Sequence, residues 1–428
     1  MFINIFIKRG LSMRDILKGS FIIFIFKVFG AISLFLTYIL IPRYYGVEAF
    51  GIFNLVFATL MIGTVISRIG LDTYVVRVIS SLEEQEEEIA LFLKMVFKIL
   101  VVTSVIVTIA ILLSSELINS YIFKSIDASN YLLGLALMIL PYTLFNVLVE
   151  VLRGLDDIKL YSLFRNLSQN FSIALLLGVS ILTAKLYDPV YILYTSIIFI
   201  TTLLIVVLSR FLKAKKIHIF QKGRYDKKIL KHAYPMFLAA SIMFIMSYVD
   251  SFMISYYLDE YQVGIYNACI SLSMMLTFIP MAIGGYISPK ISKAYSNENK
   301  NEIKNIFKDS IKIIFIVTLP LFLIMYSFAD FFLNIFGEAF RVATTTLLIT
   351  NIAFLSEALS GPVGFILNMT DNQHTFMKIL LISLLINITF NALLIPIYGI
   401  NGASIALLLS MFFWTIASFI ILKRKKII

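Results

Sequence analysis

Twelve runs of mainly apolar residues, each long enough to cross a bilayer, constrain this chain more than any other feature of it. They fall at about 20–42, 50–68, 89–113, 131–152, 167–184, 190–209, 234–256, 263–287, 310–328, 344–369, 378–398 and 402–422. A spanning helix needs about 20 such residues. The expected fold is therefore all-α: a polytopic membrane protein of twelve transmembrane helices. Composition agrees, since 60% of the 428 residues are hydrophobic and 14% charged, against about 25% charged in a soluble domain. No water-soluble core needs so much apolar surface, so most of it must face lipid or packed helices.

Basic residues orient the spans. Twelve spans put both termini on one side. The loops on that side hold Lys8, Arg9, Arg14 and Lys18, then Arg153, Lys159 and Arg165. A strongly basic stretch over 213–231, the group from Lys290 to Lys308 and the tail Lys423–Lys426 follow. The opposite loops hold only Arg43, Lys124, Lys185 and Arg341. The positive-inside rule places both termini in the cytoplasm, and the first run reads as an uncleaved anchor. The net charge of +11 is thereby accounted for without nucleic acid.

The chain repeats itself at about half its length. Ile16-Leu17-Lys18 recurs as Ile229-Leu230-Lys231, Tyr44 as Tyr257, and Gly51-Ile52-Phe53-Asn54 as Gly264-Ile265-Tyr266-Asn267. Every match has an offset of 213 with no gap. Two pseudo-symmetric six-helix lobes follow: an N-terminal lobe over 1–212, a basic cytoplasmic linker over 213–231 and a C-terminal lobe over 232–428. Transporters with parallel repeats rock two bundles about a site near the membrane midplane.

Charge inside a bilayer is costly, so each intramembrane ionisable residue is a functional candidate. Glu357 lies mid-span, on a face with Thr346, Thr350, Ala353, Ser360, Gly364 and Asn368, and Pro362 is expected to kink that helix. Asp250 shares a polar face with Ser247, Ser251 and Ser255 in the outer half of its span. Either acid offers a site for H⁺ or Na⁺. Lys27 lies one to two turns into the first span; it either snorkels to the interface or faces a cavity as a cation. Lys94 and Lys98 read as snorkelling. Asp72 and Arg77 serve as a gate or headgroup contact, or form a plain loop ion pair. Glu150 and Arg153, at i,i+3, read as a structural pair. Asn387 and Asn391, with Ser383, form a polar stripe that hydrogen-bonds sugars or only other side chains. Lys304, Lys308 and Lys312 read as a surface helix against anionic lipid. The run from Glu83 to Glu88 reads as a solvated loop.

Several classes are excluded. A single cysteine, Cys269, precludes an internal disulfide or a multi-cysteine metal site. The three histidines are far apart, and nothing resembles a P-loop. No cofactor is expected, and with no inserted soluble domain the chain does not read as an enzyme.

Four stretches carry a family resemblance. They are Ile41-Pro42-Arg43-Tyr44-Tyr45-Gly46-Val47-Glu48-Ala49-Phe50-Gly51, Ile69-Gly70-Leu71-Asp72-Thr73-Tyr74-Val75-Val76-Arg77, Val249-Asp250 with Val263-Gly264-Ile265-Tyr266-Asn267, and the segment from Asn391 to Ala403. In order and spacing they resemble the polysaccharide-transporter branch of the multidrug/oligosaccharidyl-lipid/polysaccharide exporter superfamily, the Wzx-type flippases. Val78 departs from the glutamate usual after that arginine. The resemblance implies a polyprenyl-diphosphate-linked oligosaccharide repeat unit as substrate, as in O-antigen or lipopolysaccharide biosynthesis. It also implies alternating access in a bacterial plasma membrane, antiport with H⁺ or Na⁺, and a polysaccharide polymerase and chain-length regulator as partners. Lys27, Arg43, Arg77, Asn387 and Asn391 are then candidate substrate contacts, Glu357 and Asp250 candidate coupling sites, and Asp72 a gate residue. The rivals are a multidrug cation exporter of the same superfamily and a peptidoglycan-precursor flippase. The latter has fourteen spans, which twelve here argue against.

Overall fold

The computed structural model describes residues 13–82, 85–124, 128–215, 217 and 229–427. Lys8, Arg9, Glu83, Glu84 and most of the 213–231 linker lie outside the described residues. The first half supplies α1 (Met13–Tyr45), α2 (Val47–Arg68), α3 (Leu71–Leu82), α4 (Glu86–Leu113), α5 (Ser115–Ile122), α6 (Ser129–Gly154) and α7 (Ile158–Ser162). A π-helical turn (Leu163–Ser168), α8 (Gln169–Leu182) and α9 (Pro189–Ala214) complete it. The second half supplies α10 (Ile229–Tyr257), α11 (Glu260–Ser273), α12 (Phe278–Ser296), α13 (Lys300–Ser327), α14 (Ala329–Asn334), α15 (Thr344–Leu359), α16 (Val363–Met369), α17 (Gln373–Tyr398) and α18 (Ile400–Arg424). No strand occurs among the described residues.

Among the described residues, ten helical stretches are long and apolar enough to cross a membrane. The two remaining expected spans are also helical: 167–184 falls on the π-turn and α8, and 234–256 falls on α10. A backbone in hydrocarbon has no water to bond, so helices that satisfy their own groups are required. Burial separates central helices from peripheral ones. In α2 and α6, 67% of the apolar window is buried, against 22% in α4 and α13; the latter two present most of their surface outward. Caps set the helix starts. Asp188 accepts from Val190 N at 2.8 Å with Pro189 following it. Asn299 accepts from Glu302 N at 3.1 Å, an N-cap bond, while its Nδ2 donates to the Glu302 carboxylate.

Three sequence expectations change. The span expected over 344–369 is not one kinked helix: α15 stops at Leu359 and α16 starts at Val363. Gly361 takes φ +73°, a left-handed conformation that suits glycine after a helix end, and Pro362 prevents resumption of the same ladder. The segment after Arg68 is an amphipathic helix, α3, with Leu71, Tyr74, Val75, Val78, Ile79 and Leu82 buried. Lys304, Lys308 and Lys312 belong to a single 28-residue helix, α13, rather than to a separate surface helix.

Contacts divide the chain into two compact units. The first comprises Met1–Tyr45, Val56–Leu117 and Ala128–Ser241. Fully buried Leu60, Leu132, Leu135, Ile139, Leu152 and Leu204 contribute to its core. The second comprises Ile242–Ile428 with two segments from the first half of the sequence, Gly46–Leu55 and Ile118–Asp127. The latter segment is tied down where Ser255 Oγ donates to the Ile122 carbonyl and Lys124 Nζ to the Tyr256 carbonyl.

Within this second unit the repeat is visible as a contact. A Cβ on Gly51 would lie 1.8 Å from the carbonyl oxygen of Glu260, and one on Gly264 would lie 2.4 Å from that of Val47. Gly51 and Gly264 are partners at the offset of 213, and so are Val47 and Glu260. The contact is therefore reciprocal, with each glycine resting on the counterpart of the other's neighbour. Only glycine permits backbones this close. One turn on, Asn54 Nδ2 donates to Phe50 O at 2.7 Å and Asn267 Nδ2 to Val263 O at 2.9 Å, so the repeated asparagines make the same local bond.

Candidate functional site

The second unit holds a buried carboxylate. Asp250, on α10, is 7% exposed. It accepts from Tyr266 Oη of α11 at 2.8 Å and from Asn391 Nδ2 of α17 at 2.7 Å. Asn391 Nδ2 also reaches Asn387 Oδ1 at 3.0 Å. Helix spacing explains the pairing of donors, since Asn387 and Asn391 are one turn apart on one face. The Asn391 Oδ1 atom is buried without a hydrogen-bond donor among the described residues. No ion pair to Asp250 occurs among the described residues, and the groups facing it are neutral. The repeat supplies an internal comparison: at the same offset of 213 the first half has Thr37 for Asp250 and Phe53 for Tyr266. Thr37 simply donates to Ser33 O at 3.0 Å.

A second set of hydroxyls and amides pairs within the same unit. Ser273 Oγ lies 2.8 Å from Thr350 Oγ1 and donates to Asn351 Oδ1 at 2.9 Å. Thr346 Oγ1 donates to Asn401 Oδ1 at 2.7 Å. Glu357 follows on the same helix, in the last turn of α15 before the Gly361–Pro362 break. Its carboxylate is half-buried and has no hydrogen-bond or ion-pair partner among the described residues. Between α15 and α18 lies an apolar groove of about 450 Å³, walled by Ile352, Leu359, Phe412, Ile416 and Phe419.

The first unit holds a cluster of opposite emphasis. Arg68, the last residue of α2, is only 3% exposed. It donates from Nε to Thr64 O at 3.2 Å and from Nη1 to Asp72 Oδ2 at 3.0 Å. Glu150 of α6 lies 3.5 Å from Arg153 Nη1 and 3.9 Å from Arg165 Nε. Arg165 makes its shorter contact with a neutral group, Asn146 Oδ1, at 3.1 Å. The π-turn carries Arg165, and such wide turns recur at functional sites. The turn is held from α1, where a Cβ on Gly30 would lie 1.8 Å from Asn166 O and Asn170 Nδ2 donates to Gly30 O at 3.2 Å. Tyr142 Oη, fully buried, donates to Gln169 Oε1 at 2.8 Å. Arg153 also lies over the Tyr161 ring, 5.4 Å from its centroid. Burial, with Glu150 nearby, raises the Tyr161 phenol above its ordinary pKa, which keeps it neutral.

The residues singled out from sequence fare unevenly. The Glu150–Arg153 pair forms as expected. Asp72 pairs with Arg68, not with Arg77, which is exposed on α3. Asn387 and Asn391, read as possible sugar contacts, are buried and turned to Asp250. Lys27 is exposed on α1, and Arg43 is exposed near its end. Sequence reasoning missed Arg68, Tyr142, Asn146, Gln169 and Tyr266 as site residues, and counted Arg165 only as a loop charge. For Tyr266 a signal was present, because it replaces Phe53 inside an otherwise repeated tetrad.

Comparison with known proteins places this geometry. The family profile described as polysaccharide biosynthesis protein matches residues 16–295, and the MatE profile matches residues 235–393. The chain is 23% identical over 402 residues to the probable low-salt glycan biosynthesis flippase Agl15 of Haloferax volcanii, covering 92% of this chain and 81% of that protein. Among solved structures it is similar to an inward-facing multidrug resistance MATE family transporter of the MOP superfamily. That likeness has a TM-score of 0.75 at 15% identity and covers 92% of this chain and 94% of that one. It is likewise similar to the lipid II flippase MurJ in an inward closed conformation, with a TM-score of 0.74 at 16% identity, covering 96% and 89%. The two likenesses show a shared fold, and the profile match covers well over half the chain: this multi-pass membrane protein belongs to the polysaccharide biosynthesis protein family of the multidrug/oligosaccharidyl-lipid/polysaccharide exporter superfamily.

Proposed function

We propose that the protein moves a polyprenyl-diphosphate-linked oligosaccharide from the cytoplasmic to the outer leaflet by alternating access, coupled to H⁺ or Na⁺ bound at Asp250 and Glu357. The observation that carries the coupling is the buried, unpaired Asp250 carboxylate. An uncompensated charge in such a place is strongly unfavourable, so a proton or metal cation is its natural partner. Thr37 at the repeated position of the first half argues that the fold itself needs no acid there. Asn391 Oδ1, buried and lacking a donor, offers a second oxygen to a cation.

The substrate class is supported by the glycan flippase name of the Haloferax relative and by the physics of the headgroup. A sugar diphosphate cannot cross hydrocarbon unaided, and its charge calls for cations. Lys27, Arg43 and Arg77 are exposed and are the residues assigned that role, with Asp72, held by Arg68, as a gate element. The multidrug cation exporter is disfavoured by the first unit, where three guanidiniums face two carboxylates. The proposed setting is the plasma membrane, both termini cytoplasmic.

The test is reconstitution in proteoliposomes with a labelled polyprenyl-diphosphate oligosaccharide, scored by leaflet accessibility under sodium or proton gradients. Wild type is expected to flip the lipid faster with a gradient. The Asp250→Asn variant is expected to lose about 5- to 150-fold of that stimulation, the usual span of a coupling free energy. An Asp250→Asn protein with unaltered gradient response would end the coupling proposal. A wild type that flips nothing but expels cationic dyes would favour the exporter.

A further inference from the structure

The apolar groove between α15 and α18 runs toward an exposed cation. We infer that it binds an anionic phospholipid of the cytoplasmic leaflet, which lays one acyl chain in the groove and sets its phosphate on Lys423, with Lys308 at the flank. The inference rests on the chain's place in a membrane and its orientation by basic residues, and not on what the protein transports.

Helix periodicity builds the groove. Ile352, Leu355 and Leu359 follow a 3–4 spacing on α15, and Phe412, Ile416 and Phe419 do so on α18. Such spacing gathers apolar side chains into one stripe per helix. Along α15 the lining runs from Ile352 to Ser360, about 12 Å at the rise of an α-helix. That is close to half of the roughly 30 Å hydrocarbon core, the depth reached by an acyl chain of one leaflet. Buried Thr346, Thr350 and Asn351 keep to the other side of α15.

The lining gives water no welcome. Its three hydroxyls already bond carbonyls of their own helices: Ser356 donates to Ala353 O at 2.6 Å, Ser360 to Glu357 O at 2.7 Å and Thr415 to Met411 O at 2.9 Å. Apolar hollows without free polar partners stay dry. Ile352, Phe412, Ile416 and Phe419 are nonetheless exposed. An empty groove would forgo the dispersion contacts that a hydrocarbon chain supplies.

Charge at the cytoplasmic end selects the headgroup. Lys423 lies four residues after Phe419 in α18, so it extends the stripe of Phe412, Ile416 and Phe419 by one turn. It is exposed and has no ion pair among the described residues. A second lysine arrives with α13. The rings of Phe307 and Phe419 lie 6.3 Å apart. Phe307 and Ile311 also pack at Gly361, the residue after Ser360, coming within 3.6 and 2.7 Å of where its Cβ would stand. Lys308 adjoins Phe307, is exposed and likewise has no ion pair among the described residues. The acids of that stretch, Glu302 and Asp309, lie about a third of a turn round the helix from it. Basic groups between transmembrane helices on the cytoplasmic side recognise anionic headgroups, and a phosphate held at Lys423 directs its chain along the groove.

The test uses tryptophan fluorescence. The sequence has one tryptophan, Trp414, so Phe419→Trp in a Trp414→Phe background puts a single fluorophore in the groove. The full-length chain is reconstituted in phosphatidylcholine vesicles, and quenching is titrated with phosphatidylglycerol or phosphatidylcholine brominated in the acyl chains. Brominated phosphatidylglycerol is expected to quench with an apparent affinity about fivefold or more above that of brominated phosphatidylcholine. Lys423→Gln should remove most of this preference, and Lys423→Gln with Lys308→Gln should leave the two lipids alike. Lys98→Gln, on α4 of the first unit, should keep the preference whole. Equal quenching by both lipids before any lysine is changed overturns the site, as does a preference that survives the double lysine variant or falls equally in Lys98→Gln. Farnesol, an isoprenoid chain without charge, is the competitor. If it displaces brominated phosphatidylglycerol better than unbrominated phosphatidylglycerol does, the groove belongs to isoprenoid chains and the proposal fails. Should Phe419→Trp not fold, Ile416→Trp in the same background gives the same readout.

Discussion

Asp250 and Glu357 are both acids in apolar helices, but their surroundings assign them different tests. Asp250 is enclosed by Tyr266 and Asn391, so replacing it by the repeat's own solution is informative. Asp250→Thr is expected to fold, because Thr37 occupies the equivalent place in the first half, yet to abolish the ion response in the proteoliposome assay. Glu357 has no such enclosure, and Glu357→Gln should perturb folding little while altering the pH or sodium dependence of transport. Full transport with both dependences unaltered would remove Glu357 from the scheme. These two acids were legible in the sequence because a carboxylate inside an apolar run has no ordinary explanation. Arg68 and Arg165 were not, because basic residues at helix ends on the side expected to face the cytoplasm are already explained by the positive-inside rule. Asn387 and Asn391 were readable as a polar stripe, but a stripe does not name what it faces, and Asp250 lies 141 residues from Asn391.

Among the elements, the interruption between α15 and α16 and the π-turn before α8 matter most. Pro362 signalled an irregularity, yet proline alone permits a kinked helix as well as a break. The left-handed Gly361 decides the matter, and no local pattern distinguishes such a glycine from the many that serve only in packing. Gly361→Ala is expected to destabilise the protein by about 1–2 kcal/mol from backbone conformation. The Ile311 side chain, 2.7 Å from the added methyl position, must also move. Thermal unfolding in detergent measures this, and an unchanged midpoint would mean the break tolerates a Cβ. The π-turn left no sequence trace, since its residues suit an ordinary helix equally well. What marks it is tertiary: Gly30 of α1 packs against its backbone at Asn166. The amphipathic α3 was passed over because a reading tuned to twenty-residue apolar runs does not register a twelve-residue helix.

At the scale of the whole chain, topology is the claim most open to direct test. Fluorescent-protein fusions at the C-terminus and within the 213–231 linker are expected to fluoresce, and alkaline phosphatase fusions at the same points to be inactive; the opposite pattern would invert the assigned orientation. The all-helical architecture was readable because apolar length alone dictates it. The attachment of Gly46–Leu55 and Ile118–Asp127 to the second unit was not, because a boundary drawn at the midpoint of a repeat is blind to which segments pack together. Gly51→Ala and Gly264→Ala should each destabilise by about 1–3 kcal/mol through overpacking, again read from thermal unfolding. Since the two residues share one contact, their combined change should fall short of the sum. That reciprocity also bears on ancestry. In a homodimer of one such half, a single glycine would meet its own copy across a two-fold axis, so one substitution would strike the assembly twice. Within one polypeptide each copy can change alone, and the two halves now differ at the repeated position, with Thr37 in one and Asp250 in the other.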